Sequence, residues 1–175
     1  PFTVGGGVDS ISAINDLLRA GADKVSLNSS AVKNPDLISK SSEKFGSQCI
    51  VIAIDARRKT NKYNEWDVYI KGGRENTGID VLVWAKKVEE LGAGEILLTS
   101  IDRDGTMKGY DLQILKEINK KVKTPLIALG GAGTKKHLKE AIEAGISGVA
   151  AGSLFIYQGV HKAVLISYIK NEDLF

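Results

Sequence analysis

The sequence contains a gapless internal repeat. Pro1-Phe-Thr-Val-Gly-Gly-Gly7, a helical stretch, Ala20-Gly21-Ala-Asp-Lys-Val25 and Ser29 return as Pro125-Leu-Ile-Ala-Leu-Gly130-Gly131, a second helical stretch, Ala144-Gly145-Ile-Ser-Gly-Val149 and Ser153. The offset is 124 positions throughout, so Gly6 falls on Gly130, Gly7 on Gly131 and Gly21 on Gly145. Each copy reads as strand, glycine turn, helix, strand and small polar turn. A glycine turn leaves backbone N–H groups free, and a helix N-terminus adds positive dipole, so each copy is a candidate phosphate cradle. Two cradles on one chain suit a ligand with a phosphate at each end.

Between the copies, apolar runs keep alternating with helical periodicity. Phe2–Val4 reads as a short buried strand, Ile11–Ala20 as a helix and Lys24–Leu27 as a strand. Asn34-Pro35 opens a helix to Phe45, with proline in the first turn where its missing N–H is tolerated. Cys49–Ile54 is a continuous apolar strand, as in a parallel sheet covered on both faces. The segment from Arg57 to Gly73 breaks the rhythm: Tyr63, Trp66, Val68 and Ile70 alternate loosely, which reads as a small hairpin excursion. Ile79–Leu91 is a helix, Glu95–Thr99 a strand, Leu112–Lys121 a helix and Leu126–Leu129 a strand. Lys135–Ala144 is a helix, Gly148–Ala151 a strand and Val160–Ile169 a terminal helix.

Strictly alternating strands and helices give a parallel sheet with right-handed crossovers. An open doubly wound sheet and a closed eight-fold barrel both satisfy that pattern. The repeat favours the barrel, because a twofold match four units apart is natural to eight units in a ring. The expectation is therefore one α/β domain over 1–175, a (β/α)8 TIM-barrel type with half-barrel repeat. About six of its eight βα units are present. A complete barrel takes roughly 250 residues, so the first two units are expected to be absent.

Composition removes several function classes. A net charge of +3 is mild, and the lysines scatter over helix faces, which argues against nucleic acid and is compatible with an anionic small substrate. A single cysteine, Cys49, excludes an intramolecular disulfide and fits a reducing cytoplasm. No apolar run reaches the length of a membrane span, and no His, Cys or carboxylate cluster has metal spacing, so neither membrane nor metal is expected.

In parallel barrels the chemistry sits where strands end and helices begin. Those positions here are Gly5-Gly-Gly7, Asn28-Ser29, Asp55, Thr99-Ser100, Asp102-Arg-Asp-Gly105, Gly130-Gly131 and Gly152-Ser153. Asp55 ends an apolar strand, and burial there would raise its pKa towards the range useful for proton transfer. The competing reading pairs it with Arg57 or Arg58, or makes it a turn cap. Asp102 and Asp104 divide similarly between a substrate contact and an Asp-Gly turn. His137 reads as a solvated helix residue and His161 as structural. Trp84 reads as packing, and Trp66 as either a core cover or a substrate contact. Lys24 and Glu95 start strands and mark the opposite mouth.

Several motifs carry a resemblance: Phe2–Gly7, Gly21–Asn28, Phe45-Gly-Ser-Gln48, Ala53-Ile-Asp55, Asn76-Thr-Gly78, Gly130-Gly-Ala-Gly133 and above all Gly92-Ala-Gly-Glu-Ile-Leu-Leu-Thr-Ser-Ile-Asp-Arg-Asp-Gly-Thr106. The chain resembles the cyclase subunit of imidazole glycerol phosphate synthase, of histidine biosynthesis, over nearly its whole length. The resemblance implies a bis-phosphate aminoimidazole carboxamide ribulotide as substrate and imidazole glycerol phosphate and aminoimidazole carboxamide ribotide as products. It implies no metal or redox cofactor. Ammonia would come from a glutaminase partner, entering at the strand-start mouth and reacting at the strand-end mouth.

Carried over residue by residue, the resemblance makes Asp55 one of two catalytic aspartates. Gly7, Asn28 and Ser29 match one phosphate site. Asp104, Gly105, Gly131, Gly152 and Ser153 match the other, and Thr99 and Ser100 line the cavity. Lys24 and Glu95 match the ammonia gate, and Asp23 matches a contact to the glutaminase. The other catalytic aspartate belongs to the first strand of the family, which this chain lacks, so the chain alone is expected to be a poor catalyst. Ala128-Leu129-Gly130-Gly131 replaces the family's Ala-Ser-Gly-Gly, and the Gly152–Tyr168 tail is more like paralogues that modify surface sugars. The alternatives are therefore that sugar-modifying paralogue and, outside catalysis, a partial barrel that self-associates through its open edge.

Overall fold

The computed structural model describes residues 1–60, 62, 64–159, 161 and 163–169. Six parallel strands run through it: β1 (Thr3–Gly5), β2 (Lys24–Leu27), β3 (Ile50–Arg58), β6 (Glu95–Ser100), β7 (Leu126–Leu129) and β8 (Gly148–Val149). They lie side by side in chain order, β1-β2-β3-β6-β7-β8. A doubly wound sheet reverses its strand order at a switch point, whereas a barrel does not. An unreversed series with right-handed crossovers puts all its helices on one side. The architecture is thus a partial (β/α)8 barrel, as the repeat implied.

The helices between these strands are α1 (Ile11–Arg19), α2 (Ser29–Lys33), α3 (Asp36–Phe45), α4 (Val81–Glu90), α5 (Leu112–Asn119), α6 (Lys135–Glu143) and α7 (Ser153–Ile156). The repeat survives folding at the level of single caps. Ser10 accepts a hydrogen bond from the Ala13 N–H at the start of α1, and Thr134, at the equivalent position, accepts one from the His137 N–H at the start of α6. Both helices are nine residues long and both are followed by a glycine at positive φ, Gly21 and Gly145.

Strand alternation divides the sheet into two environments. Val25, Ile52, Ile54, Ile96, Leu98, Leu126 and Ala128 face the helices and are buried, packing with Ile14, Ile38, Val88, Ile114 and Ile118. Lys24, Ser26, Ala53, Asp55, Glu95, Leu97, Thr99, Ile127 and Leu129 occupy the other face and are only half-buried. That second face is the interior of the partial barrel, and it carries the strand-end residues.

Three expectations are corrected. The first strand is not buried: Thr3 and Gly5 are exposed and Val4 is half-buried, because β1 has one strand neighbour, β2. The excursion after Arg58 is larger than a hairpin. Strand β4 (Trp66–Ile70) pairs antiparallel with the end of β3, and β5 (Glu75–Asp80) pairs with β4, so the segment forms a three-stranded flap. Asp80 ends that flap and caps α4 by accepting from the Leu82 and Val83 N–H groups, which moves the helix start from Ile79 to Val81. The terminal helix is absent among the described residues. Strand β9 (Tyr157–Gln158) pairs antiparallel with β10 (Ala163–Val164), and residues 165–169 are irregular. Positions Val160 and Lys162 of that expected helix, and Tyr63 of the excursion, lie outside the described residues.

Trp66 is 1% exposed and packs in the core, as does Trp84. His137 is half-buried rather than solvated, and its Nδ1 accepts a hydrogen bond from the Gly133 N–H at 3.1 Å. It fastens the loop after β7 to α6.

Candidate active site at the strand ends

Asp55 lies at the centre of the strand-end mouth, on the inner face of β3 and in register with Thr99 of β6. Its Oδ2 accepts a hydrogen bond from Asn28 Nδ2 at 3.1 Å. Burial pushes its carboxyl above the ordinary carboxylate pKa. Hydrogen bonds from Asn28 and Thr99 oppose that rise, and the nearby Asp104 adds to it. The arginine pairing considered from the sequence does not form. Arg57 lies over the Tyr69 ring, 4.7 Å from its centre. Arg58 covers Trp66 and hydrogen-bonds Asp111 and Gln113. Asp55 is therefore a half-buried acid with neutral hydrogen-bond donors and a raised pKa, an environment that suits a carboxyl to proton transfer.

A groove opens on each side of Asp55. The first, of about 640 Å³, is lined by Gly5-Gly6-Gly7, Asn28, Ser29, Ser30, Lys33, Lys71 and Gly72 together with the carboxylates of Asp9 and Asp55. Gly6 and Gly7 have φ of 105° and 70°, so the turn requires residues without a side chain. A Cβ at Gly7 would meet nothing within 4 Å, so the turn presents bare backbone to open space. Ser29 Oγ accepts from the Lys71 N–H at 3.0 Å, which ties the flap to the end of β2. Glycine backbone, hydroxyls, an amide and two lysines can meet an anion here, with Asp9 and Asp55 in the same lining.

The second groove, of about 300 Å³, is lined by Asp55, Gly72, Gly73, Thr99, Ile101 and Asp104. Its surroundings differ from the first despite the repeat. A Cβ on Gly131 would lie 2.3 Å from the Gly109 carbonyl oxygen, and the Gly131 carbonyl accepts from the Gly109 N–H at 2.7 Å. The loop from 101 to 109 therefore packs onto this glycine turn, whereas nothing packs onto Gly7. Gly105 stands at φ 72° in that loop with open space at its Cβ position. Gly152 and Ser153 start α7 and line neither groove.

The two Asp-Gly loop acids separate. Asp104 faces Asp55 across the second groove, while Asp102 accepts from the Arg58 N–H at 2.8 Å and holds the flap. Thr99 and Ser100 also separate: Thr99 lines the groove, but Ser100 is 4% exposed on the helix side of β6. Adjacent strand residues point to opposite faces, so the two could not both line the cavity. Lys33, Lys71 and Gly72 were missed from the sequence. Lys33 carries no pattern beyond a helix lysine, whereas the Gly72-Gly73 pair after Ile70 signals a sharp turn.

At the other end of the inner face Lys24 Nζ donates to the Glu95 carboxylate, reaching across the start of β3. Glu95 and Thr99 are about 13 Å apart along β6, at roughly 3.3 Å per residue. Leu97 lies between them on the same face, with Ala53 of β3 as its register partner and Ile127 as its partner in β7. Asp23 is exposed, and its Oδ2 accepts from the Phe2 N–H at 2.7 Å, joining the starts of β1 and β2. Among the described residues no group of His, Cys, Asp and Glu is arranged to hold a metal, and no helix is long and apolar enough to cross a membrane.

Comparison with known proteins gives consistent findings. The imidazole glycerol phosphate synthase subunit HisF of Prochlorococcus marinus strain AS9601 is 70% identical over 150 residues, 86% of this chain and 59% of that protein. The subunit of the same name from P. marinus subsp. pastoris is 68% identical over 171 residues, 98% of this chain and 66% of that protein. That alignment takes in the Gly152–Tyr168 tail, so the tail does not set this chain apart from HisF proteins. The P. marinus NATL2A protein of that name is 60% identical over 91% of this chain and 62% of its own length. The chain spans about three fifths of the relatives it matches. The profile of the histidine biosynthesis proteins matches residues 1–162, nearly the whole chain, and the chain belongs to that family.

Proposed function

We propose that this chain carries the strand-end site and the ammonia passage of the cyclase subunit of imidazole glycerol phosphate synthase. In this reading the substrate is the bis-phosphate aminoimidazole carboxamide ribulotide. It spans the mouth with one phosphate in the Gly6-Gly7-Asn28-Ser29 groove and the other towards Asp104, Gly105 and Gly131. Gly152 and Ser153, at the start of α7 and outside the groove itself, complete the second phosphate site in this reading. Asp55 moves protons during ammonia attack, loss of the leaving group and ring closure. Fixing both ends of the ligand holds its reacting atoms beside that acid. The observation that carries the reading is the position of Asp55 between two grooves, with Asn28 and Thr99 rather than an arginine as partners.

Ammonia from a glutaminase partner enters between Lys24 and Glu95, with Asp23 at the docking rim. Val51, Ala53, Leu97 and Ile127 give the inner face an apolar stretch in which ammonia stays unprotonated. The relatives' additional length supplies the remaining units and the second catalytic aspartate, so residues 1–175 alone turn over slowly. No metal or redox cofactor takes part in this scheme.

The test uses the full-length subunit with the bis-phosphate substrate and ammonium salts. Asp55→Asn is expected to abolish turnover while substrate binding persists. Full activity in that variant would refute the role given to Asp55.

A further inference from the structure

The flap approaches the first groove through a costly backbone conformation. Lys71, Gly72 and Gly73 stand at φ 55°, 66° and 76°. Glycine takes such angles freely, but a residue with a Cβ does so at a penalty, and such outliers concentrate where a ligand is held. The turn thus places a lysine where a third glycine would be conformationally easier. The Lys71 N–H is fixed on Ser29 Oγ, so the residue is anchored at the groove. Its Nζ meets Glu75 at 2.6 Å. Lys33, at the end of α2, lines the same groove and acts on the same carboxylate. The two lysines thus share Glu75 outside the groove and, within it, one cavity that glycines, Asp9 and Asp55 also line.

We infer that Lys33 and Lys71 form a two-lysine clamp for a phosphate in the Gly6-Gly7 groove, with Glu75 as the internal anion that the ligand displaces. This deepens the proposed function and rests on its assignment of an anion to that groove. Lys33 belongs to the barrel and Lys71 to the flap, so a dianion between them joins the two and closes the flap over the ligand. Glu75 neutralises the clamp when the groove is empty and competes with the ligand when it is full. The sites at the two ends of the ligand then differ. The first is clamped by side-chain cations, and the second is formed by a packed backbone loop.

The experiment titrates the full-length protein with inorganic phosphate and follows the amide resonances of Gly6, Gly7 and Ser29, which report this groove alone. Lys71→Gly keeps the turn, since glycine adopts φ 55° readily. It is expected to weaken phosphate roughly five-fold, the effect of one unit charge about 4 Å from an anion in a water-like dielectric. Lys33→Gln is expected to weaken it comparably, and Lys71→Arg to retain binding. Glu75→Gln is expected to tighten it about two- to three-fold, and added salt to shrink all these differences. Wild-type affinity in both Lys71→Gly and Lys33→Gln would overturn the clamp and leave the anion site standing. Weaker binding in Glu75→Gln would overturn the competition. Absence of phosphate-dependent shifts at Gly6, Gly7 and Ser29 in the wild type would overturn both the clamp and the proposed site.

Discussion

A carboxyl whose burial outweighs its hydrogen bonds lowers stability whenever it is ionised, and Asp55 is in that position. Its folded-state pKa lies above the unfolded value of 3.8. The folded protein therefore binds the proton more tightly, and stability falls as pH rises from 3.8 through the folded pKa. Asp55→Asn is expected to raise the melting temperature at pH 7 relative to wild type, with the gain vanishing below pH 3.8. Paired thermal melts across that range measure it, and a gain that persists unchanged at low pH would contradict the assignment. The repeat-related glycines give a second test at this scale. Gly7→Ala meets only the left-handed backbone penalty of about 1–2 kcal/mol. Gly131→Ala adds a contact 2.3 Å from the Gly109 carbonyl and is expected to destabilise by roughly 4 kcal/mol or more. Denaturant midpoints compare the two.

At the scale of elements, the sequence was most legible where a local rule decides. The apolar run of β3 and the proline that opens α3 place their elements directly, whereas the Asp80 cap emerged only with the structure and moved the start of α4 from Ile79 to Val81. The flap was less legible, because its outer strand β5, Glu-Asn-Thr-Gly-Ile-Asp, carries almost no apolar alternation and depends on pairing with β4. The end of the chain misled for the opposite reason: Val164, Leu165 and Ile166 suggest a helix face but are exposed in and after a short hairpin. Helix α4 is also tied to β7 by one acid. Glu89 accepts from Lys86 and from the Lys123 and Thr124 N–H groups, which hold its pKa down to about 2. A depressed carboxyl stabilises the fold above its unfolded pKa of 4.5, and that contribution is lost as pH falls towards 2. Glu89→Gln is expected to lower the melting temperature at pH 7, and its deficit relative to wild type should shrink between pH 4.5 and 2.

At the scale of the whole molecule, the inner face and both edges of the sheet are incompletely covered. Among the described residues β1 pairs only with β2, and β8 only with β7. Phe2, Val164, Leu165, Ile166 and Tyr168 are more than 60% exposed. Unpaired strand edges beside apolar surface favour association. The polypeptide of residues 1–175 is expected to associate with rising concentration in sedimentation velocity. A stable monomer at high concentration would count against this. If the proposed ammonia passage holds, Glu95→Gln in a complex with a glutaminase is expected to reduce glutamine-dependent turnover more than ammonium-dependent turnover, because it alters the proposed entrance and leaves the strand-end site intact. Equal losses in the two assays would remove the gate from Lys24 and Glu95.

The sequence by itself determined the repeat, the order of parallel strands and the position of an acid directly after the apolar run of β3. Those follow from periodicity and from glycines that a turn requires, both local properties. Only the tertiary structure decided which partners that acid has, which of Thr99 and Ser100 faces the groove, and that lysines from α2 and the flap line the same groove as Gly6 and Gly7. Those depend on strand register and on how the flap folds back, which bring together residues separated by about forty positions, such as Ser29 and Lys71.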